Sequence, residues 1–233
     1  MDYKYTRGSA YGVGVGPGDP ELMTLKAVRL IRENDIIFVP GKDPNDSVAY
    51  KIAESVIPEI SEKTLVSVSM PMVRDKKVLS DSHRKAAQQM ESFLDEGKNV
   101  VYLTLGDVSI YCTFTYLQKI LEEDGYDVEL VSGIPSFCAA AARLNTPLVE
   151  GKEELHIIPG SYRRNETVSY DGTTVLMKSA SHMSDVKEYL REKNMTVQAV
   201  ENCGMENEKV YGSLDEIPDD AGYFSLIIAK NRS

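Results

Sequence analysis

The segment that most constrains this chain is Gly14-Val15-Gly16-Pro17-Gly18-Asp19-Pro20, which closes the apolar run Ala10–Val15. The run reads as a buried strand. The glycines admit positive φ and remove the Cβ atoms that would block close approach, so the backbone there can turn tightly and meet a ligand. Asp19 and Pro20 suit the start of a helix, with Leu22, Leu25, Val28 and Arg29 as its inner stripe. A strand, a glycine turn and a helix N-terminus together favour a carboxylate or a phosphate. Two nucleotide signatures nevertheless fail. The dinucleotide pattern G-x-G-x-x-G ends on Pro17 when started at Gly12 and on Asp19 when started at Gly14, and Asp19 would repel a pyrophosphate. The P-loop is missing too, because Gly41-Lys42, Gly97-Lys98 and Gly151-Lys152 lack the upstream glycine and the following Ser or Thr. The competing reading is a tight turn with no ligand.

Strands and helices alternate through the first 145 residues. Ile36–Val39, Leu65–Ser69, Asn99–Thr104 and Val128–Val131 read as strands, and Ser47–Ile57, Asp81–Glu96, Phe114–Glu123 and Ser136–Leu144 as helices. Beyond them, Leu155–Ile158, Thr173–Met177, Val197–Val200, Lys209–Tyr211 and Phe224–Ala229 read as strands around one helix, Ser184–Glu192. This second part predicts a mixed sheet with more antiparallel pairing. The handover between sheets is expected between Ser109 and Phe114, giving domains 1–112 and 113–233.

Lys and Arg number 26 against 36 Asp and Glu, a net charge of −10, which argues against broad binding to nucleic acid or anionic membrane. The longest apolar runs are too short for a membrane span. Met1–Ser9 is polar and does not read as a signal peptide. Cys112, Cys138 and Cys203 are odd in number and far apart, so a reducing, cytoplasmic setting is expected, and the sequon Asn165-Glu166-Thr167 reads as accidental. His83, His156 and His182 show no metal-ligand spacing, and no protein-bound metal is expected. His83, on a charged helix, reads as a surface residue.

Three ordered segments carry a family resemblance. Gly14 through Ala27 resembles the opening motif of the tetrapyrrole (corrin/porphyrin) methylases, S-adenosylmethionine enzymes of cobalamin and sirohaem synthesis that also include diphthine synthase and a ribosomal RNA methyltransferase. Leu105-Gly106-Asp107-Val108-Ser109-Ile110-Tyr111 resembles the family's Gly-Asp-Pro segment, and Val131-Ser132-Gly133-Ile134-Pro135-Ser136-Phe137 its Pro-Gly-Ile-x-Ser segment. Val108 and Ser132 stand where the family has proline. Within the family, the likeness is nearest to the branch that methylates C20 of precorrin-2 or cobalt-factor II. It is carried by Pro17 through Lys26, Phe38-Val39-Pro40, Met70-Pro71-Met72, Tyr111-Cys112-Thr113 and Ile134 through Phe137.

The resemblance implies an α/β fold of two domains, each a mixed sheet flanked by helices, with the cofactor in the cleft between them. It implies that Pro17 walls S-adenosylmethionine, that Gly106, Asp107 and Ile110 hold its amino-acid end and sulfur, and that Pro135 and Ser136 sit on the next loop. Met177, Asn202, Cys203 and Gly204 would enclose the adenosine. Read locally, Met177 is a core residue, and Asp107 and Ser136 are helix caps. A polycarboxylate acceptor asks for cations, for which Arg74, Lys76, Lys77, Arg163 and Arg164 are candidates; each also reads as a solvated loop charge. Tyr111 is the candidate nearest the reacting centre, with buried packing as its alternative. The methyl sits on a sulfonium, so alignment matters more than a strong base. The resemblance further implies a homodimer and no nucleic-acid or membrane partner. Another ring carbon, diphthine or ribosomal RNA as acceptor, or a non-catalytic tetrapyrrole-binding protein, are the alternatives. A nicotinamide enzyme fails on the glycine register.

Overall fold

Residues 7–71, 73, 75–159, 171–178 and 183–231 are described in the computed structural model. Short apolar strands build the first sheet: β1 (Ala10–Gly14), β2 (Ile36–Pro40), β3 (Thr64–Val68), β4 (Val100–Thr104) and β5 (Val128–Val131), in the order β3-β2-β4-β1-β5. Its pairings are all parallel, which corrects the expected mixed sheet for this half. The cause is connectivity. Each strand is followed by a helix, and a helical crossover returns the chain in the same direction. The crossovers contain α1 (Leu25–Glu33), α2 (Val48–Val56), α3 (Lys76–Asp95) and α4 (Phe114–Glu123).

Side chains alternate across the sheet with the period-two rule. Val100 and Tyr102 of β4 join Met90 and Leu94 of α3 and Phe114 and Leu117 of α4 in one buried cluster. Val101 and Leu103 join Ala27 and Ile31 of α1 and Ala53 of α2 in another, on the opposite face. The sheet is therefore doubly wound. The connection from β1 passes over β4 to reach β2, and the connection from β4 passes over β1 to reach β5. Neighbouring strands β1 and β4 thus send their chains to opposite faces, which makes their C-terminal ends the switch point of the sheet.

Two helix starts differ from expectation. Asp19 caps only a short 3-10 turn, Pro20–Leu22, accepting from Glu21 N at 2.9 Å. The α-helix restarts at Thr24, whose hydroxyl accepts from Ala27 N at 3.2 Å. The restart rotates the helix, so Ala27, Leu30 and Ile31 face inward while Leu25 is 89% exposed and Arg29 pairs outward with Glu33. α3 begins at Lys76 rather than Asp81, because Asp75 accepts from Lys77 N at 2.8 Å and Val78 N at 3.3 Å.

The chain divides into two compact units, Met1–Pro135 and Ser136–Ser233, so the expected boundary at 112–113 moves later. The reason is β5, which pairs along β1 from Ala10↔Val128 to Val13↔Val131 and keeps α4 and itself in the first unit. The second unit holds α5 (Ser136–Arg143), β6 (Leu155–Pro159), β7 (Thr173–Met177), α6 (Met183–Glu192), β8 (Thr196–Glu201), β9 (Lys209–Tyr211) and β10 (Ser225–Lys230). Its sheet, β6-β7-β10-β8-β9, is mixed: β6 and β7 are parallel and the other pairings antiparallel. Met183 and Leu190 of α6 pack with Ala199 and Ile227 of the sheet, and α5 packs on β8 and β10.

Phe114 is fully buried, and its ring covers Gly12 of β1, where a Cβ would stand 2.2 Å from the ring. Phe114→Ala should lower the unfolding free energy by about 3–5 kcal/mol in urea titration. A loss well under 1 kcal/mol would contradict this packing.

Candidate functional site

Three loops meet at the switch point, after β1, β4 and β5. Gly16 and Gly106 are both in the left-handed region, with φ of 82° and 75°. They exchange backbone hydrogen bonds, Gly106 N to Gly16 O at 2.7 Å and Gly16 N to Gly106 O at 3.2 Å. The third loop closes on the same point. A Cβ on Gly133 would lie 2.1 Å from Gly106 O, so only glycine permits this convergence.

Asp107 fixes the third loop to the second. The residue is 7% exposed. Its Oδ1 accepts from Ser109 N at 2.8 Å and from the Ser109 hydroxyl, and its Oδ2 accepts from Gly133 N at 2.9 Å. Both carboxylate oxygens are thus engaged by the loops, and the side chain is more than the helix cap of the local reading. Thr24 adds a tie by donating to Ser132 O at 3.4 Å. The amides of Gly16, Gly106, Ser109, Ile110 and Gly133 all donate within this edge and fix its backbone. Pro17 is buried directly after Gly16, and Ile110 and Pro135 are half-buried.

Tyr111 stands out in this edge. Its φ is 47° and it is 46% exposed, so the alternative of buried packing is set aside. A left-handed backbone is strained for an aromatic residue, and such strain persists where surrounding structure enforces it. Beneath it Cys112 is buried, with its sulfur 3.1 Å from Thr104 Oγ1 and accepting from Phe114 N at 3.3 Å. Burial pushes the Cys112 thiol up, which leaves it a neutral packing group rather than a nucleophile.

The candidates of the second unit also gather at one sheet end. Met177, half-buried, is the last residue of β7 and pairs with Leu226; Glu201, the last residue of β8, pairs with Ser225. Asn202 follows with φ of 53° and Gly204 with φ of 74°. Asn202 N donates to Phe224 O at 3.3 Å, and Gly204 N donates to Glu208 Oε2 at 2.8 Å. Arg143 pairs with Glu208. Cys203 is half-buried between them, and Ser136, also half-buried, opens α5.

The cation candidates are less organised. Lys76 and Lys77 are exposed in the first turn of α3, where the helix dipole disfavours positive charge. Arg74, Arg163 and Arg164 lie outside the described residues. His83 is half-buried under the exposed ring of Tyr116, stacked at 4.8 Å and 7°, and this burial lowers its pKa. Among the described residues no group of three His, Cys, Asp or Glu is placed to hold a metal ion, and no helix is long and apolar enough to cross a membrane. Sequence reasoning missed two features, the Asp107–Gly133 tie and the Glu208 latch. Each joins residues distant in the chain or hidden in a charged stretch. Only the spacing of the second and third motifs hinted that they meet.

Asp107→Ala leaves the Gly133 amide without its acceptor, a loss of about 1–3 kcal/mol in urea unfolding, accompanied by faster exchange of that amide. Unchanged protection at Gly133 would contradict the tie. Burial opposes ionisation of Glu208, but the Gly204 amide and Arg143 outweigh it and hold the carboxyl below its ordinary value. Its stabilisation is complete above the unfolded value of about 4.3 and is lost as pH falls through the lower folded value. The Gly204 amide resonance should therefore titrate with a midpoint below about 4.3; a midpoint at or above that would contradict the latch.

Comparison with known proteins sets this geometry in context. The family model described as Tetrapyrrole (Corrin/Porphyrin) Methylases matches residues 10–218. A protein of Methanocaldococcus jannaschii named "Probable cobalt-precorrin-2 C(20)-methyltransferase" is 38% identical over 94% of this chain and 95% of its own length. The "Cobalt-precorrin-2 C(20)-methyltransferase" of Salmonella typhimurium is 27% identical over 97% of each chain. Among solved structures, a uroporphyrin-III C-methyltransferase of Thermus thermophilus complexed with S-adenyl homocysteine superposes with a TM-score of 0.69 at 21% identity, covering 96% of this chain and 97% of that one.

Proposed function

This chain belongs to the tetrapyrrole (corrin/porphyrin) methylases, and we propose that it transfers a methyl group from S-adenosylmethionine to C20 of a precorrin-2-type macrocycle, as cobalt-factor II or as metal-free precorrin-2. The observation that carries the reading is the glycine-only convergence of three loops at the switch point of the first sheet, locked by Asp107. Two relatives named for C20 methylation match almost end to end, and both names specify the cobalt form. The Thermus neighbour supports a cofactor of the S-adenosylmethionine class.

The residues present fit that cofactor. An amino-acid end carries an ammonium as well as a carboxylate, and the carbonyls of Gly16 and Gly106, each accepting one bond from the other loop, keep a second lone pair for a donor. The cofactor, when bound, supplies a methyl activated on a sulfonium. In this reading the backbone of Gly106, Asp107 and Ile110 orients the amino-acid end and sulfur region, Pro17 closes one wall, and Pro135 and Ser136 border it. Asp107 acts by placing these loops. Met177, Asn202, Cys203 and Gly204 contact the adenosine. Lys76 and Lys77, with Arg74, Arg163 and Arg164, pair with acceptor carboxylates. Tyr111, exposed on its strained backbone, faces the acceptor near the reacting carbon. Rate then comes from alignment at about 3–3.5 Å. The meso proton of the acceptor leaves to water after the new bond forms, so the Cys112 thiol needs no chemical part. The protein is read as a cytoplasmic homodimer that binds neither nucleic acid nor membrane.

Anaerobic incubation with S-adenosylmethionine and each of the two acceptors tests this. The expected product gains one methyl, located at C20 by NMR. Transfer to neither acceptor, or to another ring carbon, would overturn the assignment.

A further inference from the structure

One buried carboxylate has no part in that reading. Glu201, at the end of β8, is 7% exposed. Its Oε2 accepts from the Tyr211 hydroxyl at 2.8 Å and its Oε1 from Gly222 N at 2.9 Å, while Lys209 Nζ lies 3.7 Å away. Tyr211 and Lys209 belong to β9, and Gly222 to the loop that enters β10. A single side chain therefore joins β8, β9 and that loop. A Cβ on Gly222 would stand 2.6 Å from Glu201 Oε1, so a larger residue there would displace the carboxylate. Burial opposes ionisation of Glu201, but the Tyr211 hydroxyl, the Gly222 amide and Lys209 outweigh it, and the carboxyl is held below its ordinary range. Hydrogen bonds to such an ionised acceptor are the strong kind.

What the carboxylate holds is the corner where the Asn202–Gly204 turn meets β10. On one side of it lie Asn202 and Gly204 with their left-handed backbones. On the other lie Tyr223 and Phe224, next to Gly222, and Phe224 O receives the Asn202 amide. These two aromatic residues are 46% and 38% exposed, and their rings are locked edge to face at 5.3 Å and 81°. Immediately after them the Ser225 hydroxyl, on a residue 3% exposed, has no hydrogen-bond partner among the described residues. Buried polar atoms are nearly always paired, so this corner has an unmet hydrogen bond as well as uncovered aromatic surface.

Resting on the methyl-transfer reading, we propose that Glu201 is a positioning residue that locks the Asn202–Gly204 turn and the Tyr223–Phe224 pair into one corner, and that this aromatic pair packs against the purine ring of the cofactor. A planar ring gains stacking energy on aromatic side chains. Glu201 fixes Gly222, the residue before Tyr223, and so sets where the pair leaves the loop.

The test is calorimetric titration with S-adenosylhomocysteine and with 5′-methylthioadenosine, which keeps the adenosine but lacks the amino-acid end. Glu201→Ala and the double variant Tyr223→Leu, Phe224→Leu should each weaken both probes by the same factor, about tenfold. Glu201→Gln, which retains an acceptor for the Gly222 amide, should restore most of the affinity lost in Glu201→Ala. Because Glu201→Ala can fail by misfolding, the aromatic double variant, whose side chains are partly exposed, stands as an independent arm. Folded variants that bind both probes like the natural protein would overturn the proposal, as would a loss seen only in the KM for the macrocycle. If the unaltered protein binds neither probe, the methyl-transfer reading falls, and this inference with it; if it binds both and the variants do not differ, only the inference falls.

Discussion

The contact on which the rest depends is the pairing of Gly16 with Gly106 and its extension through Asp107 to Gly133. Parallel strands end at the same edge, so three loops arrive side by side without further design. Holding them at backbone contact distance is the harder task. Glycine removes the steric barrier at Gly133, and a buried carboxylate supplies the hydrogen bonds that keep the loops together. The backbone at that edge is then held in fixed directions, which suits a small zwitterionic ligand.

Much of the fold was legible because strands in a covered parallel sheet are continuous apolar runs, and Ile36–Pro40 or Val100–Thr104 can hardly be read otherwise. The failures have local causes. Asp19-Pro20 is a strong start signal, yet it opens only a single 3-10 turn, and the quieter Thr24 starts α1 and sets which face is buried. The charged stretch after Asp75 hid the first turn of α3. β5 belongs to the first sheet by pairing with β1, a strand more than a hundred residues earlier, and no local pattern reports such a partner. The site shows the same split. The three motifs were visible as strings, but Asp107 as a tie to Gly133 was not, since a carboxylate after a glycine reads equally as a cap.

Charge and chemistry are separated in this molecule. The chain carries a net charge of −10, and its switch-point edge presents backbone groups rather than titrating side chains. Cys112 is sealed in the core and Asp107 is engaged on both oxygens. Such an edge suits binding and alignment of a ligand that brings its own reactive group. The same economy recurs in the second unit, where Glu201 and Glu208 spend their charge on amides of the turns they brace.

The most direct measurement is a titration of the isotopically labelled protein with S-adenosylhomocysteine, followed through its backbone amide resonances. Saturable shifts at Gly16, Gly106 and Ile110 are expected, with the Gly133 amide remaining protected by Asp107. Binding that leaves those three amides unmoved would contradict a ligand site at the meeting point of the loops.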